Sequence, residues 1–275
     1  MKSGMVMIWI KISFVLIVLF LIFFVYAFIE KYLLVNKTYK IKVNKKAFNG
    51  YKIIFLTDFH YSEFVSLKLI RKVVKQVNDL EADLILLGGD YVTSRIGQID
   101  PVFNELKHLK AKDGIYGVIG NHDYDTSKSL VLEAMGNSGI ISLDNKAYWI
   151  DKNGERIRIG GVADNLFDKP DINPTINNTL PDDFIIVVSH NPDYVEKIKS
   201  EKIDLMLSGH THGGQVTVFG LYAPYIPAKQ KYRTGLKIVN RISLIISNGI
   251  GVVGLPIRFF ARPQVVIIEL GADSD

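Results

Sequence analysis

The chain has 275 residues, no cysteine and a formal net charge of +5. Without cysteine it can hold neither a disulfide framework nor a thiolate zinc site. The excess of positive charge comes from residues 1–50, which carry eight lysines and one acidic residue, whereas residues 51–275 carry 25 basic and 27 acidic side chains. Nucleic acid is therefore not an expected partner.

The first predicted element is a membrane-spanning helix. Residues 12–29 are uncharged and mostly Ile, Leu, Val or Phe, and residues 5–10 lengthen the run across Lys11. A span needs about 20 apolar residues, and a lysine near its end can reach the headgroups. A buried core helix would show a polar face, and a cleaved signal would have a shorter apolar region followed by small residues. We therefore predict an uncleaved anchor with its flank over residues 1–36.

A lysine cluster follows the anchor and suits a stretch close to anionic headgroups. Its members are Lys31, Lys37, Lys40, Lys42, Lys45 and Lys46. The cluster outweighs Lys2 and Lys11, which favours a cytoplasmic catalytic domain in a single-pass protein of the cell membrane, although so local a count leaves the side open. Residues 37–50 read as a basic linker or a first edge strand, and we predict one catalytic domain over residues 51–275.

Five short apolar runs then follow, and each ends in residues that can bind a metal. The runs cover residues 53–57, 84–89, 116–120, 184–189 and 204–209. Their lack of alternation indicates strands buried on both faces, and ligands collect at the carboxyl ends of such strands. The residues at these ends include five of the six histidines: Asp58, His60, Asp90, Asn121, His122, Asp123, His190, His210 and His212.

The segments between and after these runs predict an α/β core. Apolar residues repeat at three and four positions over 67–80 and again over 102–109, as in helices packed on a sheet. His108 falls in the second pattern and is expected on the surface. A hairpin around Asn153 and Gly154, followed by three strand-like runs near the C-terminus, indicates a second sheet.

Seven oxygen and nitrogen donors are too many for one tetrahedral zinc ion, so we predict two metals. Asp58 and His60 can reach one ion, and Asp90 can bridge to another. The remaining donors then complete the coordination of the second ion: Asn121, His190, His210 and His212. Imidazole and carboxylate ligands suit two divalent ions of Mn, Fe, Zn or Mg. Such a pair activates water and stabilises both oxygens of an in-line displacement at phosphorus, which predicts phosphoester hydrolysis by a metal-bridged hydroxide.

His122 is the predicted catalytic residue. It follows the candidate ligand Asn121, and outside the metal shell its imidazolium could stabilise phosphoryl charge or protonate the leaving oxygen. Asp123 reads equally as the carboxylate that orients His122 or as the N-cap of a helix that begins near Asp125.

The ordered set of Asp58, His60, Asp90, residues 120–123, His190 and residues 209–212 resembles the calcineurin-like metallophosphoesterase superfamily. The resemblance covers residues 51 to about 270 and implies an α/β fold, a four-layer αββα sandwich. It implies that one metal is held by Asp58, His60, Asp90 and His212. It implies that the other is held by Asp90, Asn121, His190 and His210, and that His122 assists catalysis.

Within that superfamily, the anchor and residues 209–215 and 254–259 are similar to a bacterial branch of membrane-anchored and cell-wall-associated phosphoesterases. Some relatives there hydrolyse UDP-2,3-diacylglucosamine. We therefore predict a membrane-anchored phosphohydrolase that cleaves a phosphodiester or pyrophosphate bond of a lipid-linked or nucleotide-sugar substrate. A hydrolase of soluble phosphoesters and a non-catalytic metal-binding scaffold are the alternatives. The oligomeric state stays open.

A basic, aromatic segment with no acidic residue lies between Leu205 and Ile268. Its cations are Lys229, Lys231, Arg233, Lys237, Arg241, Arg258 and Arg262. Cations interleaved with aromatic rings suit an anionic amphiphile. We hypothesise that Lys231 or Arg233 receives a phosphate and that residues 221–227 meet an acyl chain or the bilayer. Solvated surface with ordinary core aromatics is the alternative.

Overall fold

The computed structural model describes residues 2–226 and 231–271. Its helices are α1 Lys2–Glu30, α2 Leu67–Asn78, α3 Ile99–Leu106, α4 Asn121–Asn137 and α5 Asn173–Ile176. Its strands are β1 Val35–Lys42, β2 Lys52–Leu56, β3 Leu84–Leu87, β4 Ile115–Gly117, β5 Ile141–Ser142, β6 Lys146–Lys152, β7 Glu155–Gly161, β8 Phe184–Val188, β9 Leu205–Ser208, β10 Gly235–Val239, β11 Ile242–Ile246 and β12 Gln264–Gly271.

These strands form two six-stranded sheets. The first has the order β1-β12-β2-β3-β4-β5 and the second the order β10-β11-β9-β8-β7-β6. Strands β2 to β5 run parallel, as do β7, β8, β9 and β11, while β12, β6 and β10 are each antiparallel to a neighbour. The predicted hairpin joins β6 to β7, and its turn has positive φ at both Asn153 and Gly154, as a tight hairpin turn requires.

The two sheets pack face to face between two outer layers of helix. Side chains such as Phe55, Val118, Ile159 and Leu207 fill the space between the sheets. Helices α2, α3 and α4 cover the other face of the first sheet. The outer face of the second sheet is covered more thinly, by α5 and a 3-10 helix over Pro192–Lys197. The predicted four-layer αββα sandwich is therefore confirmed.

The stretch read as a basic linker or an edge strand contributes a strand. β1 pairs in parallel with β12 along its whole length, from Val35 opposite Gln264 to Lys42 opposite Gly271. The sheet therefore extends beyond the domain start predicted at residue 51. Lysines on this edge strand discourage pairing with another chain, because extending the sheet would bury their charge.

Helix α1 projects from the domain. Among the described residues one helix, Met5–Glu30, is long and apolar enough to cross a membrane, and only 6% of its most apolar window is buried. Apolar side chains are exposed on all its sides from Met5 to Val25, which is not the pattern of a core helix. A signal sequence near the N-terminus can also pass this test of length and composition.

Candidate metal centre

The five apolar runs form β2, β3, β4, β8 and β9, and the residues after them meet at one edge of the sandwich. The chain turns there through left-handed backbone conformations. The φ angles are 55° at Asp58, 45° at His60, 55° at Asp90, 68° at His210 and 52° at His212. Such conformations cost about 1–3 kcal/mol each in a non-glycine residue and gather at functional sites. Five of the seven predicted ligands therefore have a left-handed backbone conformation.

One group of donors consists of Asp58, His60 and His212, all fully or almost fully buried. Asp58 Oδ1 lies 3.8 Å from His60 Nε2 and 3.5 Å from His212 Nε2. The two Nε2 atoms are 3.0 Å apart. These distances group His212 with Asp58, as the family resemblance implies. The donor count along the chain predicts instead that His212 binds the second ion.

A second group surrounds His190. Its Nε2 atom lies 3.1 Å from Asn121 Oδ1, 3.1 Å from His210 Nδ1 and 3.2 Å from Asp90 Oδ2. The same Asp90 oxygen is 3.4 Å from His60 Nε2 in the first group. One buried carboxylate therefore joins two sets of donors, as a shared ligand of two cations must.

Three of the four candidate histidine ligands have the neutral state that metal binding needs. Burial lowers the pKa of His60 and of His210 to about 3 and that of His212 well below its ordinary value, so all three imidazoles are neutral. His190 Nδ1 lies 2.8 Å from the carbonyl oxygen of Gly88 and donates to it, so Nε2 is the ring nitrogen that faces the site. His210 Nε2 is buried without a hydrogen-bond partner among the described residues. These residues fit divalent cations.

The two carboxylates differ in pKa. Burial raises the pKa of Asp58 to about 6. Burial also acts to raise the pKa of Asp90, but the nearby His190 outweighs it and lowers that pKa, while Asp90 raises the pKa of His190 against the effect of burial. A divalent cation bound by Asp90 and His190 would therefore displace a proton.

Backbone without side chains makes room for the carboxylates. A Cβ at Gly120 would lie 2.3 Å from Asp90 Oδ1, and one at Gly209 would lie 2.2 Å from Asp58 Oδ2. Asp58 is held further by the Thr57 hydroxyl, which donates to Oδ2 at 2.8 Å. Packing therefore confines both candidate ligands, Asp58 and Asp90.

His122 lies in the first turn of α4, beside both donor groups. Its backbone N–H donates to Asp90 Oδ1 at 2.9 Å, and its ring centroid is 4.8 Å from that of His60. Its Nδ1 lies 2.7 Å from the carbonyl oxygen of Thr93, which orients the ring. A backbone carbonyl leaves no sequence signal, so the sequence could not identify this partner.

Asp123 does not orient His122, and that interpretation was wrong. Its carboxylate instead accepts backbone N–H groups of Gly120 at 2.9 Å, Asp90 at 2.7 Å and Tyr91 at 2.9 Å. The first of these bonds caps helix α4, but Asp123 is the third residue of that helix, which begins at Asn121, and not the N-cap of a helix beginning near Asp125. The other two fix the loop that carries Asp90.

Arg258 supports the first donor group, a role that the sequence did not reveal. Its guanidinium is fully buried and donates to four carbonyls, among them those of Asn248 at 2.7 Å and His212 at 3.3 Å. The same guanidinium lies 3.5 Å from His212 Nδ1. Arg258 therefore positions the loop of one candidate ligand.

The cations predicted to receive phosphate are engaged elsewhere. Arg233 donates to the carbonyls of Gly213 at 2.7 Å and Gly220 at 2.6 Å, and Lys231 pairs with Glu196. These contacts make Arg233 a brace of the loop after His212 and do not support the phosphate hypothesis. Pro227 and Lys229, which belong to the same predicted segment, lie outside the described residues.

All eight predicted site residues thus lie together, while His108 is exposed elsewhere, after the end of α3.

Residues 51–214 match the family model described as calcineurin-like phosphoesterase. The chain is 35% identical over 226 residues to the phosphodiesterase YaeI of Escherichia coli, covering 80% of this chain and 82% of that protein. It is 28% identical over 239 residues to the uncharacterised metallophosphoesterase YkuE of Bacillus subtilis, covering 85% and 83%.

Among solved structures, the NAD nucleotidase of Haemophilus influenzae matches with a TM-score of 0.50 at 14% identity, over 73% of this chain and 50% of that one, a likeness of fold. The family model covers more than half of the chain, and the family uses divalent metal ions, which the two donor groups fit. The chain therefore belongs to the calcineurin-like phosphoesterase family and is a metal-dependent phosphoester hydrolase.

Proposed function

We propose that this chain is a membrane-anchored phosphodiesterase that hydrolyses a phosphodiester or pyrophosphate bond in a lipid-linked substrate, a class that includes acylated nucleotide sugars. The observation that carries the hydrolytic part is Asp90, whose Oδ2 atom lies 3.4 Å from His60 Nε2 and 3.2 Å from His190 Nε2. That arrangement supports a pair of cations that share one carboxylate.

In this proposal each donor group holds one divalent ion. The first ion would bind Asp58, His60, Asp90 and His212. The second would bind Asp90, Asn121, His190 and His210. When bound, such a pair supplies Lewis acidity and an activated water for displacement at phosphorus. The protein contributes the fixed donor positions, which are set by buried strands and by the glycine contacts to Asp58 and Asp90.

His122 would act on the leaving group. Its Nδ1 donates to the carbonyl of Thr93, so Nε2 is the ring nitrogen left to hold a proton for transfer. Since the His122 backbone also donates to Asp90 Oδ1, the ring is tied to the shared carboxylate. A proton delivered there to the departing oxygen accounts for about 10²- to 10⁴-fold in rate.

Helix α1 supports the lipid-linked part of the proposal. It is long and apolar enough to cross a bilayer, and its C-terminal end packs on the catalytic domain. An enzyme held in this way meets phosphoesters at the membrane surface at high local concentration. The names of the two relatives specify a reaction class and no lipid or sugar, so the substrate class rests on this packing.

A substrate comparison tests the proposal. Full-length protein reconstituted in lipid vesicles with Mn²⁺ would be assayed on bis-para-nitrophenyl phosphate, para-nitrophenyl phosphate and a lipid pyrophosphate. We expect cleavage of the diester, weak cleavage of the monoester and the highest kcat/KM on the lipid. A higher kcat/KM on a soluble diester would reject the lipid-linked class and favour the soluble-substrate alternative.

His122→Ala tests the catalytic assignment, with His108→Ala as its matched control. We expect the first variant to lose about 10²- to 10⁴-fold in kcat while keeping its bound metal, and the second to retain wild-type values. Bound metal without activity on any phosphoester, and no effect of His122→Ala, would favour a metal-binding scaffold.

A further inference from the structure

The last turns of helix α1 are part of the catalytic domain's surface. The ring of Phe23 packs on Phe259 with centroids 5.8 Å apart, and the ring of Tyr26 lies 5.9 Å from Phe259 and 6.0 Å from Phe260. The buried carboxylate of Glu30 accepts the backbone N–H of Phe260 at 2.8 Å. These contacts fix the position of the domain along the helix.

They also fix how deep the domain lies, given the membrane-spanning helix of the proposed function. An α-helix rises about 1.5 Å per residue, so Phe23 lies roughly 10 Å before Glu30 along the axis. The hydrocarbon core is about 30 Å thick, and Met5–Glu30 is somewhat longer than that. The ring of Phe259, which packs on Phe23, therefore lies within about 10 Å of the end of the span, near the boundary between acyl chains and headgroups.

A set of exposed apolar side chains continues from this boundary. We call it the apolar rim: Val218, Phe219, Leu221, Tyr222, Tyr225 and Leu255. It joins the helix contact through Phe219, whose ring centroid is 5.2 Å from that of Phe260. Leu221 is 86% exposed and Tyr225 is 75% exposed. So many exposed apolar residues in one place mark an interaction surface, and Tyr, Phe and Leu together suit a membrane interface.

The apolar rim is held rigidly to the metal centre. Gln215, three residues after the candidate ligand His212, binds the carbonyls of Val253 and Leu255 through its side-chain amide. The Thr217 hydroxyl donates to the carbonyl of Phe259 at 3.0 Å. One clamped segment therefore runs from the metal ligand to the apolar rim and to the contact with α1.

We propose that the apolar rim is a second membrane contact, seated among lipid headgroups beside helix α1. The occupant is the bilayer, because the surface is continuous with the part of α1 that lies at the hydrocarbon boundary. The absence of acidic residues from 205 to 268 removes repulsion from anionic lipids. This contact holds the metal centre against the membrane, so that a phosphoester in the headgroup plane reaches it without leaving the bilayer.

Site-specific labelling tests the contact, because the chain has no cysteine and each new one is unique. Leu221→Cys reports on the apolar rim, and Leu180→Cys is the matched control, a 58% exposed leucine ahead of β8 and so at the opposite end of the sheets. Val15→Cys reports on the anchor. Each full-length variant would carry a bimane label in vesicles of phosphatidylglycerol and phosphatidylethanolamine.

We expect doxyl-labelled lipids to quench the label at position 221 several-fold more than that at 180, and iodide in the buffer to show the reverse order. If position 15 is quenched by lipid but 221 behaves like 180, the apolar rim is not a membrane contact although the anchor stands. If lipid does not quench the label at position 15, the membrane anchor and the membrane contact of the apolar rim are both rejected.

The label at position 221 could instead be shielded from iodide both in vesicles and in detergent micelles, without quenching by lipid. That result would assign the surface to a second copy of the chain and overturn the proposal. The readout does not depend on turnover. A failure of the hydrolytic assignment is therefore a separate result, measured with the diester.

Discussion

Gly120→Ala should disable the metal centre without unfolding the protein. The Cβ of the new alanine would lie 2.3 Å from Asp90 Oδ1 and 2.8 Å from Asp90 N, so the carboxylate must retreat by roughly 1 Å to reach ordinary contact. Metal ligands tolerate about 0.2 Å, and a misplacement of about 1 Å costs on the order of 10²-fold in rate. The clash itself costs about 1–3 kcal/mol of stability.

The assay combines three measurements on the purified variant: metal content, hydrolysis of bis-para-nitrophenyl phosphate and thermal unfolding. We expect fewer than two ions per chain and a fall in kcat/KM of about 10²-fold or more. Gly97→Ala is the control, since a Cβ there meets nothing within 4 Å. Full metal content and wild-type turnover in Gly120→Ala would refute the claim that Asp90 must keep its position.

Two further predictions concern Arg258 and Asp144. Arg258→Met removes the donor of four carbonyls, and each carbonyl left unpaired costs about 1–3 kcal/mol, so the unfolding free energy should fall by at least about 2 kcal/mol and the metal content should drop. Arg258→Lys should give values between those of the wild type and Arg258→Met, and unchanged values in both variants would contradict the positioning role. Burial raises the pKa of Asp144 to about 7, so the folded protein loses stability as the pH rises from about 4 to 7. Asp144→Asn should therefore raise the melting temperature more at about pH 8 than at about pH 5. An equal change at both pH values would contradict that pKa.

The positions of the ligands could be predicted because each follows a buried strand. A run such as Leu84–Leu87 is apolar on both faces, so it must lie inside a sandwich, and parallel strands bring their carboxyl ends to one edge. That reasoning identifies Asp90 as a site residue. It does not say which donors share an ion, since His212 joins Asp58 across 154 positions of sequence only through the docking of the second sheet on the first.

The supporting groups could not be predicted, for physical reasons. The Thr93 carbonyl orients His122 through the backbone, which looks the same at every position. Arg258 reads as one more surface cation until packing buries its guanidinium among carbonyls. The pairing of β1 with β12 joins segments more than 200 residues apart, and no local pattern records it.

Anomalous diffraction from crystals of active enzyme loaded with Mn²⁺ tests the central claim most directly. We predict two peaks about 3.5–4 Å apart with the carboxylate of Asp90 between them, one peak beside His60 and the other beside His190. A single peak, or two peaks of which neither contacts Asp90, would contradict the account.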